Sequence, residues 1–169
     1  EYNHTVAQIL ITGEDIENTE RRTNFENTMR RLLELSVIPI LNENDSIATE
    51  QIVIGDNDTL GAIVATTLQA DLLIILSDIN GLYTAAPHKD KNAVLLHRVE
   101  EINPEIEAMI GGVGSKLGTG GMITKIKAAK MTTAKGIDLV IANGDNPSNV
   151  YDIVEGKDVG TRFIAKKVD

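Results

Sequence analysis

The sequence predicts an α/β fold in which a mainly parallel sheet lies between two layers of helices, a three-layer αβα sandwich. Segments typical of strands alternate along the chain with segments of helical periodicity, which is the pattern of such folds. Two predicted strands, 71–76 and 137–142, are apolar almost throughout, as expected for strands covered on both faces. A chain of 169 residues can build one sizeable core, so we expect a single domain over residues 1–169.

In the first half of the chain, apolar runs predict strands, and apolar residues at helical spacing predict helices. In order, these are a strand at 6–11, a polar loop at 14–20, a helix at 21–35, a strand at 37–41, a polar stretch at 42–58 whose part 50–54 could add a short strand, a helix from about 58, and the strand at 71–76.

The second half continues the alternation and contains the densest group of glycines. In order, we expect a strand at 93–99, a helix opening at Pro104, a glycine-rich loop at 111–121, a helix at 122–135 that ends before Gly136, a strand at 137–142, a short helix at 147–154 and a last strand at 160–164. Proline at a first helical position and glycine just after a helix are typical boundary signals.

The composition excludes several classes of function. The net charge of −9 argues against nucleic acid as the main partner, because neutralising phosphates requires clustered Lys and Arg. There are no cysteines, so disulfides and thiolate metal sites are excluded. No segment has the length and apolarity of a membrane span, and the first residues do not resemble a signal peptide. We therefore expect a cytoplasmic protein.

Three polar clusters follow predicted strands, after 37–41, after 71–76 and after 137–142. In parallel α/β sheets, ligands bind beyond the carboxyl ends of the strands. In the first cluster, Asp45 could pair with a ligand ammonium group, while Asn42 and Asn57 could donate to a ligand carboxylate. The alternative is a solvated polar hairpin. Asp58 has a structural alternative as a helix cap.

The glycine-rich loop ends in Gly118-Thr119-Gly120-Gly121-Met122 and leads into a helix that carries Lys125. Glycines let backbone N–H groups approach an anion, and a lysine one turn further can reach a phosphate. This is neither the Walker nor the dinucleotide fingerprint, and a flexible linker is the alternative. Ser77 and Asp78 could contact a nucleotide or simply start a turn.

Four motifs stand out along the chain: Asn-Glu-Asn-Asp at 42–45, Gly-Asp-Asn-Asp at 55–58, Ser-Asp-x-x-Gly-Leu-Tyr-Thr at 77–84 and Gly-Thr-Gly-Gly-Met-x-Thr-Lys at 118–125. Together they closely resemble the amino acid kinase family and, within it, the glutamate 5-kinase branch. The resemblance covers almost the whole chain. It implies ATP- and Mg²⁺-dependent phosphorylation of the side-chain carboxylate of L-glutamate, the first step of proline biosynthesis. It also implies a homo-oligomer and feedback inhibition by proline.

The resemblance also implies a role for each motif residue. Asn42, Asp45 and Asn57 would bind glutamate, and Asp58 would organise the catalytic lysines. Lys125 would stabilise the transition state, and ATP would contact Ser77, Asp78, Gly118, Thr119, Gly120, Gly121, Met122 and Lys125.

The chain departs from the family pattern at its start, where we find no Lys-x-Gly-Ser-Ser motif. We therefore expect an N-terminally truncated kinase domain without the C-terminal accessory domain of many relatives, and little or no activity from these residues alone. The alternatives are another member of the family, such as an acetylglutamate, carbamate or uridylate kinase, and a non-catalytic amino-acid-binding module.

Overall fold

A computed structural model of the chain describes residues 3–47, 53–85, 90–110 and 119–166. Within these ranges, strands and helices alternate as predicted. The strands are β1 (Val6–Ile11), β2 (Ile38–Glu43), β3 (Leu72–Ser77), β4 (Arg98–Val99), β5 (Asp138–Asn143) and β6 (Thr161–Phe163). The helices are α1 (Gly13–Glu17), α2 (Thr19–Glu34), α3 (Asn57–Leu68), α4 (Pro104–Ile110), α5 (Thr119–Thr133) and α6 (Asn149–Val154).

The strands form a four-stranded sheet in the order β3-β5-β6-β4 and a two-stranded sheet of β1 and β2. The pairs β1–β2, β3–β5 and β4–β6 are parallel, and β5 and β6 are antiparallel. The mainly parallel arrangement confirms the predicted fold class. In the pair of β3 and β5, Ser77 lies opposite Asn143, so the polar residues that follow both strands meet at one edge of the sheet.

The four-stranded sheet is covered on both faces, which makes the three layers. Leu139 and Ile141 of β5 pack into a core with Ala62 of α3 and Ala128 of α5. Val140, the residue between them, belongs to a second cluster on the opposite face, which also includes α6. This alternation explains why the strand is apolar throughout, because successive side chains of a strand point to opposite faces.

The two-stranded sheet is covered by helices on one face. Ile11 packs there with Phe25 and Met29 of α2 and with Leu60 of α3. The apolar side chains on the other face are 46–56% exposed; they are Val6, Leu10, Ile38 and Ile40. Helix α3 packs against strands of both sheets.

Two predictions of local structure were wrong. The segment 14–20 is helical over most of its length, because its polar residues cap helices. Thr12 and Asp15 form a capping box at the start of α1, and the Asn18 side chain caps α2, which satisfies N–H groups that have no partner within the helix.

The strand predicted at 93–99 is reduced to β4, with an isolated bridge between Leu95 and Tyr83. The apolar side chain of Leu96, within the predicted strand, packs on the main core, but the residue is not paired in a β-ladder. Residues 53–55 adopt no regular structure, while residues 50–52 lie outside the described ranges. None of the helices in the described ranges has the length and apolarity needed to cross a bilayer.

The fully buried hydroxyl of Thr161 links β6 to the segment after β3. Its Oγ1 accepts a hydrogen bond of 2.8 Å from the backbone N–H of Leu82. We expect Thr161→Val to lower the free energy of unfolding by about 1–3 kcal/mol, because the isosteric side chain leaves a buried N–H without a partner. Urea unfolding would measure the loss.

The matched control is Thr132→Val. Thr132 is also fully buried, but its hydroxyl donates to carbonyl oxygens of its own helix, and those carbonyls keep their backbone partners when the hydroxyl is removed. Equal losses of stability in the two variants would contradict the role assigned to Thr161.

Candidate active site

Two predicted site residues that are far apart in the sequence, Asp58 and Lys125, form an ion pair. Lys125 Nζ lies 3.0 Å from Asp58 Oδ2, and the same oxygen accepts a hydrogen bond of 2.6 Å from the hydroxyl of Thr124. Lys125 is only 8% exposed. An ammonium group withdrawn from water in this way needs a charged partner, and Asp58 provides it.

Asp58 is positioned by the start of helix α3. The helix cap is Asp56, whose carboxylate accepts hydrogen bonds from the N–H and the hydroxyl of Thr59. The structural alternative for Asp58 as a cap is therefore wrong. Asp58 lies in the first turn of the helix, where the helix dipole favours a carboxylate, and its side chain is available to Lys125.

Lys125 is positioned by helix α5, which packs on α3 through small buried residues of both helices. The helix begins at Thr119, three residues earlier than predicted, so Thr119, Gly120 and Gly121 form its first turn. Lys125 consequently lies in the second turn. Gly118 and the preceding residues of the glycine-rich loop lie outside the described ranges.

The three residues predicted to bind an amino acid are exposed. Asn42 lies on β2, Asp45 in the turn after it, and Asn57 at the start of α3. Hydrogen bonds from the backbone N–H groups of Ile54 and Gly55 connect the two ends of this polar stretch. The acceptor of both is Glu43.

Glu43 is 9% exposed, and its Oε1 and Oε2 accept hydrogen bonds of 2.7 and 3.0 Å from those two N–H groups. The sequence interpretation assigned it no function. A signal was present, because Glu43 follows Pro39 and Leu41 at alternate positions, and these side chains point to one face of a strand. Glu43 holds the segment before α3 against the end of β2.

The turn after β3 carries Ser77 and Asp78, and the Ser77 hydroxyl donates to Asp78 Oδ1 at 2.9 Å. Ser77 is half-buried and Asp78 is exposed. The turn is joined to the loop after β5 by a hydrogen bond of 3.0 Å from Asn143 Nδ2 to Asn80 Oδ1. The sequence interpretation treated Asn80 and Asn143 only as turn residues.

Three or more carboxylate and imidazole side chains do not cluster into a metal site among the described residues. Mg²⁺ does not require such a cage when it arrives with a nucleotide, because it keeps several waters and takes phosphate oxygens as ligands. The exposed carboxylate of Asp78, in the turn after β3, could contact an ion of this kind.

Taken together, these residues give two chemical capabilities. The buried ammonium of Lys125 is held in a fixed position near the first turn of α5, where N–H groups favour an anion. The stretch around β2 offers one exposed carboxylate and two exposed amides, which suit a zwitterionic ligand. A site with these two parts can hold a phosphorylated nucleotide and an amino acid.

The sequence is similar to those of known proteins. The sequence model of the amino acid kinase family matches residues 1–143. Glutamate 5-kinases of Clostridium perfringens and Clostridium acetobutylicum are 51% and 52% identical to 99% and 98% of this chain. The chain spans 64% and 62% of the length of these two relatives.

Solved structures show the same fold. The UMP kinase from Ureaplasma parvum superposes with a TM-score of 0.61 at 16% identity, over 98% of this chain and 61% of that one. The match to the family model includes Asp58 and Lys125 and the elements from β1 to β5. The chain belongs to the amino acid kinase family.

Proposed function

We propose that this chain is the catalytic part of a glutamate 5-kinase. The reaction transfers the γ-phosphoryl group of ATP to the side-chain carboxylate of L-glutamate, giving glutamyl 5-phosphate and ADP as the first step of proline biosynthesis. The observation that carries the proposal is the buried pair of Asp58 and Lys125 beside an exposed stretch suited to an amino acid. The curated relatives at about half identity have this activity by name.

The nucleophile of this reaction needs little help from the protein. A glutamate side chain has a pKa near 4.3, so at neutral pH it is already a carboxylate and requires no general base. A carboxylate oxygen bonds to the γ-phosphorus while the bond to the ADP oxygen breaks. The protein therefore has to position two anions and offset their charge.

Lys125 is the residue that offsets this charge. Its ammonium group faces the phosphoryl group in transfer, and Asp58 keeps it in place, since a lysine side chain otherwise has considerable rotational freedom. Because water is largely excluded around a side chain that is 8% exposed, its charge acts more strongly than it would in solvent. Asp58 thus acts on the reaction through Lys125.

The two substrates use the two polar regions described above. Asp45 pairs with the ammonium group of glutamate, and Asn42 and Asn57 donate to its α-carboxylate. ATP, carried as its Mg²⁺ complex, lies along Ser77, Asp78 and the residues from Gly118 to Met122. The metal supplies charge neutralisation on the phosphates.

Three further properties, which concern regulation, location and oligomeric state, are part of the proposal and are supported by the resemblance of the motifs. Proline, the product of the pathway, acts as a feedback inhibitor, and the enzyme is a cytoplasmic homo-oligomer. The kinase domain extends over residues 1–169, which correspond to 64% and 62% of the length of the two relatives.

Two alanine variants of the full-length protein test the two parts of the site separately. Asp45→Ala should raise KM for glutamate about tenfold or more with a smaller change in kcat, because it removes the partner of the ammonium group. Asp58→Ala should lower kcat by a factor of about 10² with a smaller change in KM. Steady-state kinetics of ADP release, with glutamate and ATP varied in turn, measures both.

The reverse pattern would mean that the two clusters have each other's roles. Calorimetry adds a test against a non-catalytic module. The proposed kinase binds both glutamate and a non-hydrolysable ATP analogue, whereas a regulatory module would bind the amino acid without the nucleotide.

A further inference from the structure

The loops that follow β3 and β5 are joined beyond the last paired residues of the two strands. Ser77 and Asn143 end the ladder between these strands. One residue later, the N–H of Gly144 donates to the carbonyl oxygen of Ser77 at 2.8 Å. The backbone of the second loop is therefore anchored directly on the residue that opens the turn after β3.

The side chain of Asn143 makes a second connection. Its Nδ2 donates to Asn80 Oδ1 at 3.0 Å, and its Oδ1 accepts from the N–H of Asp145 at 2.7 Å. The carbonyl oxygen of Asn143 accepts from Asn149 Nδ2 at 3.0 Å. This position needs a donor and an acceptor on one short side chain, which asparagine provides and aspartate does not. The hydrogen bond from the N–H of Asp145 fixes the orientation of the Asn143 side chain, so that its Nδ2 can donate to Asn80.

The connection continues beyond Asn80. Asn80 Nδ2 donates to the hydroxyl oxygen of Tyr83 at 3.2 Å, and the N–H of Leu82 donates to the buried Thr161. Thus the segment 77–83 is fixed near its start by the loop after β5 and near its end by β6. Asn143 is the side chain that reaches this segment from the edge where ligands of such sheets bind.

We propose that Asn143 is a positioning residue for the nucleotide, which holds the segment 77–83 in the conformation that receives ATP. The inference rests on the proposed function, because Ser77 and Asp78 are the nucleotide contacts in that segment. Asn143 acts through Asn80 and the turn. A segment that is already ordered loses less conformational entropy when it binds a ligand, so its ordering contributes to affinity.

The test is Asn143→Ala in the full-length protein, with binding measured by calorimetry. We expect the Kd of the Mg²⁺ complex of a non-hydrolysable ATP analogue to rise about three- to tenfold, the range expected for one lost hydrogen bond. The Kd for glutamate should stay within about twofold, since this loop lies on the other sheet from the glutamate stretch. Amide hydrogen exchange over residues 78–83 should become faster with no ligand present.

The matched control is Asn146→Ala in the same loop. Asn146 is exposed, and its recorded side-chain hydrogen bonds are to Ser148 and Asn149. We expect this variant to bind the ATP analogue as the unaltered protein does. If both variants weaken nucleotide binding equally, Asn143 has no specific positioning role.

A second variant tests the same connection between the loops after β3 and β5 without altering the Asn143 side chain. A Cβ at Gly144 would lie 3.3 Å from the Cβ of Leu76 and 3.5 Å from the carbonyl oxygen of Ser77. The contact with Leu76 is tighter than usual, so Gly144→Ala should shift the end of β3 by a few tenths of an ångström and also weaken binding of the ATP analogue. Both variants binding the analogue with unchanged Kd would overturn the inference.

The outcomes also distinguish this inference from the proposed function. Suppose that the unaltered protein binds glutamate and the ATP analogue, and that Asn143→Ala and Gly144→Ala bind the analogue with the same Kd. The kinase assignment then stands, and the role of Asn143 is wrong. If the unaltered protein does not bind the analogue, the proposed function is overturned, and the role of Asn143 in nucleotide binding is overturned with it.

Discussion

Lys125→Ala is expected to lower kcat of the full-length protein by a factor of about 10²–10³, as is typical when a fixed charge that stabilises a transition state is removed. Lys125 is 8% exposed and held by Asp58 at 3.0 Å, so solvent cannot replace its charge. KM for glutamate should change less than kcat, because the proposed mechanism places Lys125 against the nucleotide and not against glutamate. Rates of ADP formation at saturating substrates measure the effect.

The control for this variant is Lys127→Ala. Lys127 lies on the same helix but is exposed, so its removal changes the net charge by the same amount without altering the buried pair. We expect its kcat to stay within about twofold, since surface substitutions usually have small effects. A Lys125→Ala enzyme as active as the Lys127→Ala enzyme would contradict the proposed mechanism.

Glu43→Ala is expected to have the second large effect, on both stability and glutamate binding. The substitution removes the acceptor of two N–H groups, those of Ile54 and Gly55. The free energy of unfolding should fall by about 1–3 kcal/mol, the cost of leaving such groups without partners. Glutamate should bind about tenfold more weakly or worse, because the segment that leads to Asn57 loses its anchor on β2.

Two further variants test whether the lost hydrogen bonds of Glu43 cause the losses of stability and of glutamate binding. Glu43→Gln keeps one acceptor oxygen and places an NH₂ group against the other N–H, so it should fall between the wild type and Glu43→Ala. Glu34→Ala removes a carboxylate that is exposed and paired with Arg31, and it should be nearly neutral. Unfolding in urea and calorimetry with glutamate give both readouts. An unchanged unfolding midpoint for Glu43→Ala would show that the two hydrogen bonds do not anchor the segment.

Strands β1, β3 and β5 were the easiest elements to predict. The prediction for β1 matches its ends, and the predictions for β3 and β5, whose apolar runs are a strong signal, are displaced by one residue. The weak edge strand β4 was overestimated, since apolar residues there serve packing and not pairing. The helix α1 was missed because Thr12 and Asp15 were interpreted as loop residues and not as a capping box.

The site could be predicted residue by residue but not as an arrangement. Asp58 and Lys125 are 67 residues apart, and Asn80 and Asn143 are 63 residues apart, and neither separation has a periodicity that indicates contact. The resemblance to a family implied that Asp58 contacts a lysine, and in the structure this lysine is Lys125. The link between Asn80 and Asn143 was not anticipated, because it depends on which strands are neighbours.

Helix α3 has a consequence for how the two substrates affect each other. It begins at Asn57, one of the residues proposed to bind glutamate, carries Asp58, and packs against strands of both sheets. A ligand that shifts α3 when it binds on one side of the helix changes the free energy with which a second ligand binds on the other side. Thermodynamic linkage requires that coupling to be mutual: whatever factor glutamate applies to the affinity for ATP, ATP applies to the affinity for glutamate.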